Sequence, residues 1–294
     1  MRGPGILKAW LLATRPATLL AGIVPVVVAA AMTWEHPDFR WDMAVLAGLG
    51  AILIQIATNF ANDYYDFVKG ADTDDRVGPK RATHQGWITP RGMKRATLLV
   101  LGAALLIGLV LIERGGWPIA ALGFSSLLLA VGYTAGPLPL AYVGLGDVFV
   151  LLYFGLGATV GSVWVMCLQA PPAAWLAGVG LGVLGTAVLV VNNLRDRHTD
   201  AEVGKNTLAV RFGAGFVRAE YALLLAGAYA IVAVGVIGEA LPTGCLLVLA
   251  SVPLAVKSTR QVFSLEGALL NPLLGATARL EALYGLLFAI GWNL

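Results

Sequence analysis

The sequence predicts an all-α, polytopic membrane protein: a bundle of nine transmembrane helices formed by a single domain over residues 1–294. The composition is 58% hydrophobic and 13% charged, whereas a soluble protein carries about 25% charged residues. Many apolar stretches approach the roughly 20 residues needed to cross a hydrocarbon core. Composition therefore excludes a soluble protein. We expect contact with membrane lipid and no nucleic-acid or protein partner.

Nine apolar segments are the predicted spans, and the charge of their connections gives a second test. They are residues 17–34, 43–67, 94–112, 117–135, 146–168, 173–194, 218–237, 241–256 and 277–293. With nine spans, one side of the membrane receives all of the 20 Lys and Arg residues except Arg40 and Arg114. A missed or invented span would destroy this separation. The positive-inside rule then predicts that the N-terminus and the long basic loops are cytoplasmic. We expect the membrane to be a plasma (inner) membrane, with the active-site loops on its cytoplasmic side.

A first acidic cluster, residues 59–81, follows the second predicted span. Its acids and amides are Asn59, Asn62, Asp63, Asp66, Asp72, Asp74 and Asp75. Asn59, Asp63 and Asp66 are spaced i, i+4 and i+7, so a helix places them on one face. Hard oxygen ligands of this kind suit Mg²⁺, which proteins hold with a few carboxylates and the phosphates of a substrate. Carboxylates at the end of a membrane helix are costly unless paired or metal-bound. The cluster therefore predicts one half of a metal–diphosphate site.

A second acidic cluster, residues 192–211, ends the sixth predicted span. Asn192, Asp196 and Asp200 are spaced i, i+4 and i+8, again on one helical face. Alternation of the spans places this cluster on the same side of the membrane as the first. Two such faces could hold Mg²⁺ ions against a diphosphate and neutralise the charge of that leaving group. The alternative is a pair of hydrated, charged helix ends.

Basic residues are interspersed among these acids and admit two interpretations. Lys69 and Arg81 lie in the first cluster, and Lys205 lies in the second. Arginine can bind phosphate oxygens with its fork of N–H groups, and lysine supplies a compact charge. The same residues also satisfy the positive-inside rule without touching a ligand. Phosphate contact and topological charge both remain open for these three.

Several motifs resemble those of the UbiA superfamily of intramembrane aromatic prenyltransferases. Its first aspartate motif is matched by Asn62-Asp63-x-x-Asp66 with Asp72, and its second by Asp196-x-x-x-Asp200. Further stretches resemble the branch of the superfamily that prenylates 1,4-dihydroxy-2-naphthoate. They are Arg76-x-Gly78-Pro79, Tyr133-Thr134-x-Gly136-Pro137-Leu138-Pro139 and Gly204-Lys205-x-Thr207-Leu208-Ala209-Val210. The resemblance covers most of the chain.

The resemblance implies a prenyl transfer that depends on Mg²⁺. A polyprenyl group would leave its diphosphate and attach to 1,4-dihydroxy-2-naphthoate with loss of CO₂, giving the demethylated quinol precursor of menaquinone or phylloquinone. It implies Asp63, Asp66, Asp196 and Asp200 as catalytic residues, and these four with Asp72 as metal ligands. It also implies that Asn59, Asn62 and Asn192 complete the ligation or orient the carboxylates. The candidate substrate-binding residues are these three together with Lys69, Arg81, Tyr133, Tyr142, Asp147 and Lys205.

Some alternatives remain open at this stage. Tyr133 and Tyr142 either face the mouth of the substrate cavity or belong to an interfacial aromatic belt. Asp147 either contacts the aromatic acceptor or pairs with an arginine. A related enzyme with another acceptor, such as 4-hydroxybenzoate, homogentisate, chlorophyllide or haem, would share the aspartate motifs. A cation-coupled transporter would also carry intramembrane carboxylates, although transporters tend to place them near mid-span.

Overall fold

Ten α-helices follow one another along the chain in the computed structural model, which describes residues 4–72, 77–136 and 139–294. They are α1 (Ile6–Thr14), α2 (Pro16–Thr33), α3 (Trp41–Val68), α4 (Pro90–Gly132), α5 (Gly146–Val150), α6 (Ala158–Cys167), α7 (Pro172–Glu202), α8 (Leu208–Ile237), α9 (Val252–Ser264) and α10 (Asn271–Trp292). A π-helical stretch (Leu151–Gly157) joins α5 to α6, and 3-10 stretches are Leu140–Tyr142, Thr243–Ser251 and Gly267–Leu270. These described ranges contain no β-strand, so the predicted all-α class is confirmed. Asp74, Asp75, Arg76, Pro137 and Leu138 lie outside them.

The number of apolar helices agrees with the predicted nine spans. Seven helical runs are long and apolar enough to cross a membrane, and α1 with α2, bent by 56°, forms an eighth candidate. Helix α4 has 43 residues, which would be about 65 Å if straight, roughly twice the hydrocarbon thickness. Its backbone breaks at Gly116, where φ is 68° and ψ is −154°. With α4 counted as two spans, the described ranges hold nine candidates, and the chain is an integral membrane protein.

Helix α7 lies at the centre of the packing. It contacts α8, α10 and the π-helical stretch, and it buries Leu181, Leu184 and Leu194 in the largest hydrophobic core. Its close approach to the π-helical stretch requires glycine on both sides, because a Cβ on Gly155 would lie 2.5 Å from the Cα of Gly182. The second acidic cluster forms the end of this helix. Its side chains are therefore carried on an element held from several directions.

Some helix limits differ from those predicted. Helix α1 precedes the first predicted span, and the corner between α1 and α2 lies at Arg15, whose φ is +51°. Nine residues are too few to cross a membrane, so a search for apolar spans misses this helix. The last two runs extend over Thr243–Ser264 and Gly267–Trp292. The first of them ends eight residues later than predicted, because the largely polar residues 257–264 continue the helix beyond the apolar stretch. The second begins ten residues earlier than predicted, because it includes the short 3-10 stretch Gly267–Leu270 and the first turns of α10.

Candidate active site between the two acidic clusters

The first acidic cluster begins on the last turns of α3. Asp63 and Asp66 are both 2% exposed, and they make different contacts. Both carboxylate oxygens of Asp63 accept backbone N–H groups, from Ala82 at 3.0 Å and from Thr83 at 2.9 Å. Asp63 therefore binds the segment that follows the cluster along the chain.

Asp66 lies between two basic side chains. Its Oδ2 accepts a hydrogen bond from Arg81 Nη2 at 3.1 Å, and its Oδ1 lies 3.3 Å from Lys205 Nζ. The same arginine places Nε 3.5 Å from Oδ1 of Asp72. Arg81 is thus shared by two carboxylates of the first cluster. Its other terminal nitrogen, Nη1, is buried and has no hydrogen-bond acceptor within the described ranges.

Lys205 joins the two clusters. Its Nζ lies 3.3 Å from Asp66, at the end of α3, and 4.0 Å from Asp200, at the end of α7. Two carboxylates far apart in the sequence, those of Asp66 and Asp200, therefore lie close to the same ammonium group. The prediction that the two acidic clusters lie at the same end of the bundle and face each other agrees with this geometry.

Asp196 and Asn192 surround an arginine. The Arg195 guanidinium donates to Asp196 at 2.7 and 2.5 Å and to Asn192 Oδ1 at 2.8 Å. Its Nη1 donates to Asn271 Oδ1 at 3.1 Å. Arg195 and Asp196 are both buried, so this pair is shielded from solvent. Charge-assisted contacts of this kind are about twice as strong as neutral ones.

Tyr142 lies beside two ammonium groups. Lys69 Nζ lies 4.3 Å and Lys205 Nζ 5.3 Å from the centre of its ring, both within cation–π range. Burial raises the pKa of the Tyr142 hydroxyl, and the charges of Asp66, Asp200 and Asp72 raise it further. The hydroxyl is therefore protonated at neutral pH. It has no hydrogen-bond partner in the described part of the chain.

Of the predicted residues Asn62, Lys69 and Asn59, the first two belong to the site and the third does not. Asn62 accepts a hydrogen bond from the Thr134 hydroxyl, and the Thr134 carbonyl accepts from Lys69 Nζ at 2.6 Å, so Asn62 and Lys69 belong to the site. Asn59 instead donates to Thr14 O at 2.9 Å and to Thr18 Oγ1 at 3.0 Å. Its amide group therefore binds the corner between α1 and α2.

An apolar cavity begins next to these polar groups. It contains about 1360 Å³ of empty space, counting its open mouth, and Tyr133, Thr58 and Leu140 are among its lining residues. Tyr133 directly precedes Thr134. Asp147, at the start of α5, is buried, and its Oδ1 has no hydrogen-bond partner in the described ranges. Within the described ranges, no arginine forms an ion pair with Asp147.

The donor atoms fit a hard divalent cation. Asp66, Asp72 and Asp200 are carboxylates gathered around Arg81 and Lys205, and oxygen ligands of this kind suit Mg²⁺. No three His, Cys, Asp or Glu side chains of the described ranges already form a metal cage. The basic side chains hold the carboxylates together in the arrangement seen here.

Two contributors were not predicted as site residues. Arg195 lies within the second acidic cluster and binds Asp196. Asn271, at the start of α10, gives no signal in the sequence, because its partners Val77 and Arg195 are distant along the chain. Only the fold brings these groups together.

The helical bundle with its apolar cavity and paired acidic clusters matches one known class of membrane proteins. The chain belongs to the UbiA prenyltransferase family, whose model matches residues 23–267. It is 38% identical over 291 residues to the 1,4-dihydroxy-2-naphthoate octaprenyltransferase of Escherichia coli, covering 97% of this chain and 94% of that protein. It is 37% identical over 259 residues to the protein of the same name from Mycobacterium tuberculosis, covering 88% and 87%.

Solved structures support the fold. A UbiA homolog from Archaeoglobus fulgidus bound to DMAPP and Mg²⁺ superposes with a TM-score of 0.65 at 18% identity, over 96% of this chain and 99% of that one. A UbiA homolog from Aeropyrum pernix K1 gives a TM-score of 0.68 at 16% identity, over 93% and 96%. At such identities the likeness concerns the fold alone.

Proposed function

We propose that this protein transfers a polyprenyl group from its diphosphate to 1,4-dihydroxy-2-naphthoate, with loss of diphosphate and CO₂, in menaquinone synthesis. The observation that carries the proposal is Lys205, which joins carboxylates of both acidic clusters. The apolar cavity is lined by Tyr133, which directly precedes the Thr134 that bonds to Asn62 and Lys69. A polar site beside an apolar cavity suits a prenyl diphosphate, which has a charged head and an apolar tail. The relatives named for this reaction cover nearly the whole chain, which supports the choice of acceptor.

Mg²⁺ is the proposed cofactor, held by Asp66, Asp72, Asp196 and Asp200. When bound, it neutralises the charge that develops on the departing diphosphate. Arg81 and Lys205 bind phosphate oxygens directly, and the buried, unpartnered Arg81 Nη1 provides one donor for them. Lys69 adds a further positive charge beside Tyr142. Asn62 and Asn192 orient their neighbours Thr134 and Arg195.

The cavity binds the prenyl tail and excludes water from the reacting carbon. An allylic cation formed in this water-poor space escapes hydrolysis and meets the electron-rich naphthoate ring. Tyr133 lines the cavity and Tyr142 lies next to the lysines, so both aromatic rings are close to where the cation forms. Asp147 has an unsatisfied oxygen near this end of the bundle and could accept a hydroxyl hydrogen of the acceptor. We place the site on the cytoplasmic side of the plasma (inner) membrane, following the distribution of Lys and Arg.

Product analysis tests the proposed reaction. Purified protein in lipid nanodiscs is incubated with Mg²⁺, a ladder of prenyl diphosphates and one acceptor at a time. We expect mass spectrometry to detect the prenylated, decarboxylated naphthoquinol with 1,4-dihydroxy-2-naphthoate. Preferential prenylation of 4-hydroxybenzoate or homogentisate would contradict the acceptor while preserving the reaction class. No prenylated product with any acceptor would contradict the enzyme assignment.

Filling the cavity is predicted to shorten the donor that the protein uses. Gly108 lines the cavity, and a Cβ at this position meets no atom within 4 Å, so Gly108→Phe places a ring in empty space. We expect the preferred donor to become shorter by at least one prenyl unit on the ladder. Gly102→Phe is the matched control, because Gly102 lies on the same helix, is exposed and is not among the lining residues. If Gly108→Phe kept the donor-length preference of the native protein, the prenyl tail would not bind in this cavity.

The charge of Lys69 gives a predicted pH dependence. Its pKa lies below the ordinary 10.5 because burial of the ammonium opposes ionisation; Asp66 counteracts the shift and Lys205 adds to it. Lys69 therefore loses its charge at a lower pH than an isolated lysine. As pH rises through that lowered pKa, we expect the dissociation constant for Mg²⁺–diphosphate to increase. Lys69→Arg removes the increase because arginine stays charged.

Calorimetric titration from neutral pH upward measures this dependence. Lys94→Arg is the control, since Lys94 is exposed on α4. An alkaline loss of affinity that is identical in native protein and in Lys69→Arg would show that another group is responsible.

A further inference from the structure

Residues 77–83 form a non-helical segment between α3 and α4 that carries Arg81. Arg81 is 7% exposed, although it does not belong to a helix. Both ends of the segment are bound by side chains of helices, one from α10 and one from α3.

The first end is bound by Asn271 of α10. Its Nδ2 donates to Val77 O at 3.1 Å, and its Oδ1 accepts from Arg195 at 3.1 Å. The neighbouring Gly78 lies against the same guanidinium: a Cβ there would be 2.6 Å from Arg195 Nη2. A side chain at position 78 would therefore displace Arg195 or the segment. These contacts join the start of the segment to the second acidic cluster.

The second end is bound by Asp63 of α3. Its two carboxylate oxygens accept the N–H groups of Ala82 and Thr83, the two residues that follow Arg81. Hydrogen bonds from backbone N–H groups to an ionised carboxylate are of the stronger, charge-assisted kind. Since both oxygens have donors, Asp63 is engaged in holding the backbone beside Arg81.

We propose that Asn271 and Asp63 are positioning residues that hold the two ends of segment 77–83 and thereby direct Arg81 at the diphosphate. This inference rests on the proposed function. Arginine binds phosphate through a planar fork, so its contribution depends on the placement of its backbone. If the segment were unrestrained, it would have to become ordered when phosphate binds, and the free-energy cost of that ordering would weaken binding by the guanidinium. This role differs from the metal ligation that the sequence motif predicts for Asp63.

A double-mutant cycle with Arg81 tests the proposal, because residues that act through Arg81 lose their effect once it is gone. Asn271→Ala and Asp63→Asn are each made in native protein and in Arg81→Gln. The dissociation constant of inorganic diphosphate with Mg²⁺ is measured calorimetrically, together with KM and kcat for the prenyl donor. In native protein we expect each substitution to weaken diphosphate binding by about 10- to 100-fold, as loss of an outer-shell partner does. In Arg81→Gln we expect less than about threefold from either.

Asn293→Ala is the matched control. Asn293 also joins helices through its amide, donating to Ala31 O at 3.0 Å, but it lies at the other end of α10. It is expected to leave diphosphate affinity unchanged. As a second measurement, hydrogen exchange reports the segment directly: Asp63→Asn is expected to accelerate exchange at Ala82 and Thr83. This measurement requires only that the single variants fold.

Two results would overturn the positioning role of Asn271 and Asp63. Equal losses in the native and Arg81→Gln backgrounds would overturn the proposal, as would unchanged exchange at Ala82 and Thr83 in Asp63→Asn. Either result would leave the proposed function standing. Absence of Mg²⁺–diphosphate binding in the native protein would overturn both the inference and the function on which it rests.

Discussion

Asp66→Asn is expected to lower the rate of prenyl transfer by at least about 10³-fold, equivalent to about 4 kcal/mol of lost transition-state stabilisation. Asp66 is the carboxylate that both Arg81 and Lys205 contact, at 3.1 and 3.3 Å. Replacing it with an amide removes a metal ligand and the anion that holds both cations in place. The change keeps the size and shape of the side chain. Arg81 keeps Asp72 and Lys205 keeps Asp200 as counter-ions, so we expect the protein to remain folded and inserted.

Turnover with saturating donor and a Mg²⁺ titration measure this effect. Asp42→Asn provides the same chemical change at the start of the same helix, about 36 Å away along its axis. There Asp42 forms an exposed pair with Arg40 at 2.5 Å, and we expect activity within about twofold of native, since exposed pairs contribute little. Full turnover by Asp66→Asn would contradict the site assignment.

Asp196→Asn is expected to lose both activity and stability. The Arg195–Asp196 pair is buried, with side-chain exposures of 2% and 9%, and removal of one partner leaves a buried charge without its counter-ion. Breaking such a pair costs about 3–5 kcal/mol. Loss of a carboxylate from the second acidic cluster is expected to lower the transfer rate by about 10²- to 10³-fold as well.

The double variant Arg195→Gln/Asp196→Asn separates these two effects. Removing both charges eliminates the unpaired guanidinium, so we expect the thermal unfolding temperature to recover most of its loss. We expect activity to stay low because the carboxylate is still missing. Recovery of transfer in the double variant would show that Asp196 acts only by neutralising Arg195.

The sequence allowed prediction of features that repeat locally. Apolar length and the distribution of Lys and Arg gave the nine spans, and helical spacing gave the faces that carry Asp66 and Asp200. The contacts of Lys205 agree with the expectation that these faces meet. These inferences used the periodicity of single segments and the distribution of charge along the chain, so no long-range contact had to be known.

The sequence could not predict contacts that depend on how distant segments meet. Asn271 bonds to Val77 across 194 positions, and an asparagine at a helix start gives no sign of that partner. Asn59 shares a helical face with Asp63 and Asp66, yet packing of α1 directs its amide to Thr14 and Thr18. Asp63 and Asp66 look equivalent in the motif. Tertiary contacts distinguish them: Asp63 accepts the N–H groups of residues 82–83, whereas Asp66 contacts Arg81 and Lys205.

Anomalous diffraction tests most directly whether the two acidic clusters bind metal and diphosphate together. Crystals would be grown with Mn²⁺ in place of Mg²⁺ and a non-hydrolysable prenyl thiodiphosphate. We expect metal peaks within about 2.5 Å of carboxylate oxygens from both clusters, Asp66 on one side and Asp196 or Asp200 on the other. We expect the diphosphate to lie against Arg81 and Lys205. Metal ligated by one cluster alone, or a diphosphate bound away from these two basic side chains, would contradict this expectation.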